Sequence, residues 1–91
     1  MSPAIPHDPV ARRFRIEVEG HACVLDYELD AGVMTITHTG VPEAVAGRGI
    51  AAALMQAAMD VARARHWKVV PRCSCAAVWM RRHPDSQDLL A

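Results

Sequence analysis

The hydrophobic pattern of this chain changes its period at residues 40–43, and that change limits what the chain can fold into. Before it, apolar and polar side chains alternate from Arg13 onward, which is typical of half-buried β-strands. After it, apolar residues recur at helical spacing along residues 50–65. The order of the two patterns predicts an α+β domain whose strands come before its long helix.

Three strands are predicted before the change of period. They cover residues 13–19, 22–29 and 33–39, and glycine-containing turns separate them. Because short turns connect these strands, they are expected to pair in an antiparallel manner.

Two shorter elements are predicted after the long helix. Residues 67–70 form a compact apolar segment, which predicts a fourth strand, and residues 74–82 predict a short helix with Ser74 as its N-cap. Since a helix connects the third and fourth strands, they should be parallel neighbours with a right-handed crossover. The expected fold is a minimal α+β domain: antiparallel strands, a central helix, a further parallel strand and a short C-terminal helix.

The length of the chain, 91 residues, allows a single domain. Three prolines among the first ten residues predict a flexible N-terminal arm over residues 1–12. Residues 13–91 are expected to form the folded domain.

The composition argues against two classes of partner. Ten basic residues balance ten acidic ones, so no strong overall field points to nucleic acid or to a membrane surface. The longest apolar run is far shorter than the roughly 20 residues that cross a bilayer. Three cysteines and no recognisable secretory leader predict a reducing, cytoplasmic location.

The charges are unevenly distributed along the chain. Residues 1–47 carry three Arg and seven Asp or Glu, whereas residues 48–91 carry seven Lys or Arg and three Asp. An anionic ligand would therefore prefer the C-terminal half.

Residues 46–51 form a glycine-containing loop between the third strand and the long helix. Glycines leave backbone N–H groups uncovered, and a helix N-terminus adds unpaired amides and a positive pole, so a pyrophosphate would bind well there. Arg48 could add a charge-assisted contact. The spacing matches neither the Rossmann nor the Walker pattern, and a plain helix-starting turn is the alternative.

Cys73 is a candidate nucleophile because it follows the fourth predicted strand, close to the start of the last helix. A helix N-terminus and the neighbouring Arg72 make a thiol more reactive at neutral pH. A buried structural thiol is the simpler alternative. A metal site built from Cys73, Cys75 and His83 lacks a fourth ligand at a usual spacing, so no metal is expected.

His38 is predicted on the same strand face as Met34 and Ile36, at the strand end that leads into the glycine loop. A histidine on an apolar face is often only a core residue, but its place beside a phosphate-binding loop makes it a candidate general base. Arg81 and Arg82 suit the end of a helix through its dipole, and they could also hold an anionic ligand.

Five blocks of sequence in a fixed order resemble one known family. The chain resembles the short, single-domain branch of the GNAT superfamily of N-acetyltransferases, and the resemblance extends from Arg13 to Leu90. The blocks that carry it are His38–Pro42, Gly47–Ala51, Lys68–Pro71, Cys73–Ser74 and Arg81–Pro84.

The resemblance implies a site for acetyl-coenzyme A. In this family the loop before the central helix binds the pyrophosphate, and the pantetheine arm lies between the third and fourth strands, with the thioester directed toward Cys73. The residues that would bind the cofactor are Val41, Ala46, Gly47, Arg48, Gly49, Ile50, Ala51, Ala52, Ser74 and Arg82.

Three positions differ from the pattern usual in this family. Gly40 replaces an acidic residue, Cys75 replaces an aromatic residue, and His66 stands where the central helix usually ends on glycine. The chain also lacks room for the N-terminal helices that form the acceptor groove of longer GNAT enzymes. A homodimer could complete such a groove.

The expected function is therefore acetyl transfer from acetyl-coenzyme A to an unidentified amine, on a small molecule or a protein. His38 is the candidate base, and the amine attacks either the thioester directly or an acetyl group first carried by Cys73. The first alternative is a non-catalytic coenzyme A-binding module that acts as a sensor or partner subunit. The second is a small redox or metal protein that uses Cys73 and Cys75.

Overall fold

A computed structural model describes residues 5–91 and shows one five-stranded sheet with two helices. Its strands run in the order of the sequence, and each is antiparallel to the next except for the last pair, which is parallel. The strands are β1 (His7–Asp8), β2 (Arg13–Val18), β3 (His21–Asp30), β4 (Val33–Gly40) and β5 (Lys68–Pro71).

Two α-helices follow β4. Helix α1 (Ile50–Ala64) makes the crossover from β4 to β5, and α2 (Ser74–Arg81) follows β5. Short 3₁₀ helices cover Glu43–Val45 and Pro84–Leu89. The α+β fold, the antiparallel strands and the parallel β4–β5 pair confirm the architecture predicted from the hydrophobic pattern.

One face of the sheet is buried under α1. Alternate residues of the strands face this helix, as the period-2 pattern predicts, and α1 contributes its apolar stripe. The fully buried large side chains of this core include Phe14, Leu25, Met34, Ile36, Leu54, Met55 and Val69. Burial of apolar surface at about 25 cal/mol per Å² is the main force that holds the two layers together.

Both tight turns of the meander use glycine in a left-handed conformation. Glu19 and Gly20 connect β2 to β3 with φ of 49° and 79°, and Ala31 and Gly32 connect β3 to β4 with φ of 49° and 77°. Positive φ at both central residues matches the right-handed twist of the strands, which favours glycine at the second position.

Part of the predicted N-terminal arm pairs with the sheet. Of the predicted arm, residues 1–4 lie outside the described residues, whereas His7 and Asp8 pair with Phe14 and Arg13 as strand β1. The His7 ring stacks on Phe14 with centroids 4.2 Å apart. A two-residue strand is too short to show a hydrophobic period, so the sequence pattern gave no sign of it.

Candidate functional site

The sheet opens between β4 and β5 at the end nearest α2. The parallel pairing ends with Ile36 opposite Pro71, and the carbonyl of Ile36 then accepts the backbone N–H groups of both Arg72 and Cys73, at 3.0 and 3.1 Å. Beyond that point β4 continues to Gly40 beside β3, whereas the segment after β5 turns into α2. The result is a gap between two parallel strands, with Cys73 at its edge.

A β-bulge at Thr37 decides which side chains face this gap. Tyr27 pairs with Ile36, but Asp26 pairs with His38, so Thr37 is an extra residue on β4. Its hydroxyl donates to the carbonyl of Asp26 at 3.4 Å. The alternation of β4 therefore reverses after Thr37.

The reversal corrects the predicted orientation of His38. Met34 and Ile36 are fully buried as predicted, but His38 is exposed on the outer face of the sheet. Thr39 takes the inward direction instead, opposite buried Leu25. The prediction that His38 shares a face with Met34 and Ile36 was wrong because one inserted residue shifts a period-2 pattern by one position.

Thr39 lies against Cys73, a neighbour that the sequence did not indicate. The distance from Thr39 Oγ1 to Cys73 Sγ is 3.5 Å, and the sulfur also accepts the backbone N–H of Ala76 at 3.4 Å. Cys73 is thus the N-cap of α2, and the prediction of Ser74 as the cap was wrong by one residue. Ser74 is the first residue of the helix and is exposed.

The N-terminus of α1 presents uncapped backbone amides. Gly49 is the N-cap with φ of 75°, and among residues 5–91 no side chain caps this helix. The first bond along the helix runs from the N–H of Ala53 to the carbonyl of Gly49, so the N–H groups of Ile50, Ala51 and Ala52 precede the helical ladder. This arrangement attracts anions through the aligned N–H groups and the positive end of the helix dipole.

The loop before this helix is open and needs its glycines. Gly47 and Gly49 both have positive φ, of 80° and 75°, and space around them is free within 4 Å of a Cβ built at either position. A ligand can therefore approach the backbone closely. At the start of the loop, the N–H of Ala46 already donates to the carbonyl of Glu43 at 3.1 Å, and Val41 packs its side chain on the core.

Arg48 is held by an acidic side chain from another part of the sheet. Its Nη2 lies 2.8 Å from Oε2 of Glu19, the residue at the β2–β3 turn, and both side chains are about half exposed, at 49% and 62%. An ion pair this exposed contributes only about 0–1 kcal/mol, so a phosphate can compete for the guanidinium.

A groove of about 530 Å³ lies between the first turn of α1 and the outer side of α2. Ala52 forms one wall, and residues from Ser74 to His83 form the other. The rings of Trp79 and His83 stack with centroids 3.8 Å apart, and His83 Nδ1 lies 2.7 Å from the carbonyl of Trp79. Within residues 5–91 the buried indole Nε1 of Trp79 has no hydrogen-bond partner.

The basic block at the end of α2 divides between two surfaces. Arg82 and His83 line the groove, whereas Arg81 faces a separate hollow beside Pro71. Cys75 also lines the groove, and burial, followed by the nearby Cys73, raises the pKa of its thiol.

The outer face beside the gap carries His38 and Gly40. A Cβ added at Gly40 would lie 2.9 Å from Nε2 of His38, so the imidazole covers the space that a side chain at position 40 would need. His38 and Cys73 thus lie on different sides of the sheet: His38 on the outer face, over Gly40, and Cys73 on the helix side.

Two negative findings apply to the part of the chain that the structure describes. In residues 5–91, no group of three or more His, Cys, Asp or Glu side chains is arranged to hold a metal ion. Over the same residues, helices that are long and apolar enough to span a bilayer are absent.

Comparison with known families identifies the chain. The model of the GCN5-related N-acetyl-transferase family matches residues 13–89. The chain belongs to this acetyltransferase family. The match covers most of the sequence and confirms the resemblance inferred from its five blocks.

A solved structure agrees with this assignment. This chain is similar to a GCN5-like protein from Staphylococcus aureus, whose structure was determined in solution by NMR. The two share 26% sequence identity, and the TM-score is 0.78. The similarity covers 97% of this chain and 87% of that one. A sequence comparison with curated proteins gives no significant match.

Proposed function

We propose that the protein is an N-acetyltransferase that takes its acetyl group from acetyl-coenzyme A and transfers it to an amine. The observation that carries the proposal is the gap between β4 and β5, which has Cys73 at its edge. The uncapped N-terminus of α1 and the start of α2 border one groove beside it. Membership of an acetyltransferase family supports this function over a non-catalytic coenzyme A-binding module.

The loop and the first turn of α1 suit the pyrophosphate. Gly47 and Gly49 leave the backbone approachable, and the amides of Ile50, Ala51 and Ala52 can donate to phosphate oxygens. Arg48 would add its charge once it leaves Glu19. Ala46 helps through the shape of the loop, since its own N–H is already bonded to Glu43.

The rest of the cofactor would follow the gap and the groove. The pantetheine arm would lie along the free edge of β4 near His38 to Val41, where β5 no longer pairs. Ser74 and Arg82 line the groove that leads away from the loop, and Arg82 can pair with a phosphate of the adenosine end.

Acetyl-coenzyme A supplies an acetyl group activated as a thioester. Cys73 Sγ, as a thiolate, forms a bond to the carbonyl carbon, while the bond from that carbon to the coenzyme sulfur breaks and leaves its electron pair on that sulfur. The amine then forms the new C–N bond as the bond to Cys73 breaks. His38 takes the proton that the amine loses, from the outer face of the sheet.

A binding measurement followed by an activity measurement tests the proposal. Acetyl-coenzyme A at a hundred times its Kd should add about 2.7 kcal/mol to the free energy of unfolding. For a domain of this size the melting temperature should then rise on the order of ten degrees. Free coenzyme A and its dephospho form are the controls, since they separate the contributions of the acetyl group and the 3′-phosphate.

Release of free coenzyme thiol in the presence of a panel of amines then reports transfer. Absence of a shift in melting temperature at millimolar acetyl-coenzyme A would refute the cofactor site. Binding with no transfer to any amine, and with no acetyl group on Cys73, would instead identify a non-catalytic coenzyme A-binding module.

A further inference from the structure

Thr39 reaches the candidate site only because of the bulge in β4. Without the extra residue at Thr37, its side chain would point to the outer face with Thr35. In the structure Thr39 is the Cα partner of Leu25, whose side chain is fully buried, so Thr39 faces the helix layer. The bulge thus brings a hydroxyl to the free part of β4 beside the gap.

Cys73 reaches the same place from the other strand. The carbonyl of Ile36 binds the backbone N–H groups of both Arg72 and Cys73, which fixes the turn from β5 into α2. Cys73 Sγ then has two hydrogen-bonding neighbours among residues 5–91: the N–H of Ala76 at 3.4 Å and Thr39 Oγ1 at 3.5 Å.

The two neighbours of the sulfur differ in what they can do. The N–H of Ala76 can only donate, so the Cys73 sulfur accepts it both as a thiol and as a thiolate. The Thr39 hydroxyl can accept the S–H of a neutral thiol, or rotate and donate to a thiolate. Thr39 is therefore the partner that can follow a change of charge on Cys73, because the backbone amide makes the same bond in both states.

We propose that Thr39 is a positioning residue that holds the Cys73 sulfur at the gap and donates a hydrogen bond to its thiolate. The role of this contact in acetyl transfer rests on the function proposed above, which gives Cys73 its reaction. The contact itself governs the reactivity of the thiol with any electrophile. It can therefore be measured without a cofactor.

The test is the alkylation rate of Cys73 by iodoacetamide as a function of pH. The thiolate forms a bond to carbon and iodide leaves, so the rate follows the thiolate population and its access to reagent. All variants carry Cys75→Ala. Trypsin cleaves after Arg72 and Arg81, so alkylated Cys73 and alkylated Cys75 would otherwise be found in the same peptide. Cys23 is fully buried and lies in a different peptide.

Thr39→Val removes the hydroxyl and keeps the shape of the side chain. It should lower the alkylation rate at pH 7 about tenfold, the size expected for the loss of one hydrogen bond to a charged group. It should also move the half-maximal rate to higher pH, while the rate at high pH stays within about twofold of that of the Cys75→Ala background. Thr39→Ser keeps the hydroxyl and should behave like the background.

Thr35→Val is the matched control, because it makes the same change three pairs earlier on β4, on the outer face. It should leave the profile unchanged. Equal profiles for Thr39→Val and the background would overturn the proposal. So would a rate that falls by the same factor at every pH, or an equal fall in Thr39→Ser, since either result would make packing the cause.

If Thr39→Val does not fold, Thr39→Ala takes its place with the same two readouts. The outcome is independent of acetyl transfer, because no coenzyme is present in the assay. If the protein does not bind acetyl-coenzyme A, the proposed function is refuted, but the alkylation result for Thr39 still stands. A normal alkylation profile in Thr39→Val would remove the role of Thr39 and leave cofactor binding untouched.

Discussion

Cys73 makes a structural hydrogen bond and, in our proposal, carries the acetyl group, and single substitutions can separate the two roles. Its sulfur accepts the N–H of Ala76 and so caps α2, a task that serine performs well and alanine cannot perform. Its position at the edge of the strand gap is the basis of the second role. The same atom therefore contributes to stability and, in our proposal, to reaction.

We predict that Cys73→Ser and Cys73→Ala both lose acetyl transfer by about a thousandfold or more, because each lacks the thiolate nucleophile. Their stabilities should differ. Cys73→Ala should unfold with about 1 kcal/mol less free energy than Cys73→Ser, which keeps a capping oxygen. Turnover assays and urea titrations of the same preparations measure both effects. Near wild-type turnover in either variant would mean that the amine attacks the thioester directly.

Most of the elements could be predicted from the sequence because hydrophobic period and turn residues determine them locally. The predicted central helix, residues 50–65, is observed as Ile50–Ala64, and each predicted strand is found within two residues of its bounds. Parallel pairing of the last two strands followed from the helical crossover between them. These features need only a pattern that repeats over several residues.

The site was less predictable because two single-residue features shape it. The bulge at Thr37 inserts one threonine into a run of threonines and histidine, where either register gives a plausible alternation. The hydrogen bonds of β3 and β4 select between the registers, and these depend on contacts distant in sequence. The N-cap of α2 was predicted at Ser74 and is observed at Cys73 for a similar reason. The turn after Pro71, which distant contacts hold in place, fixes where the helix starts.

The N-terminus of α1 offers a prediction about competition for Arg48. This guanidinium is paired with Glu19 at 2.8 Å, so a pyrophosphate that binds as we propose has to displace the carboxylate and then lies near its charge. We predict that Glu19→Gln tightens acetyl-coenzyme A binding about two- to fivefold, in the range of an exposed ion pair. Arg48→Ala should weaken binding by a similar factor, as measured by isothermal titration calorimetry.

Glu17→Gln is the control for that experiment, because Glu17 lies on β2, shortly before Glu19, and makes a longer pair with Arg15, at 3.5 Å. It should change the Kd little. The difference between Glu19→Gln and wild type should shrink as salt concentration rises, since salt screens exposed charges. Unchanged or weaker binding in Glu19→Gln would show that Arg48 does not contact the cofactor.

On the scale of the whole molecule, an aromatic cluster joins the first strand to the far end of the central helix. His7 stacks on Phe14 and bonds to the hydroxyl of Tyr27 at 2.6 Å. Tyr27 packs near Trp67, just after α1, and Arg65 lies over the Trp67 ring at 5.3 Å. The cluster connects β1, the middle of the sheet and the entry to β5, so weakening it should lower the free energy of unfolding of the whole domain.

This cluster makes the stability of the fold depend on pH through His7. Burial, and then the charge of Arg65, hold the pKa of His7 below its ordinary value of 6.5, while Asp8 opposes them. As pH falls, the unfolded chain therefore binds a proton at this histidine before the folded chain does. The contribution of His7 to stability is complete above pH 6.5 and is lost as pH falls from 6.5 toward the lower folded pKa.

We predict that the free energy of unfolding falls between pH 7.5 and 5.5 and that His7→Gln reduces this fall. Glutamine can still bond to the Tyr27 hydroxyl but does not titrate, so the proton linkage at this site disappears. His21→Gln, the same change at the start of β3, is the matched control for the loss of an imidazole elsewhere in the sheet. Urea titrations at four pH values measure the slopes. If His7→Gln and wild type lose the same free energy over this range, the cluster does not couple protonation of His7 to the fold.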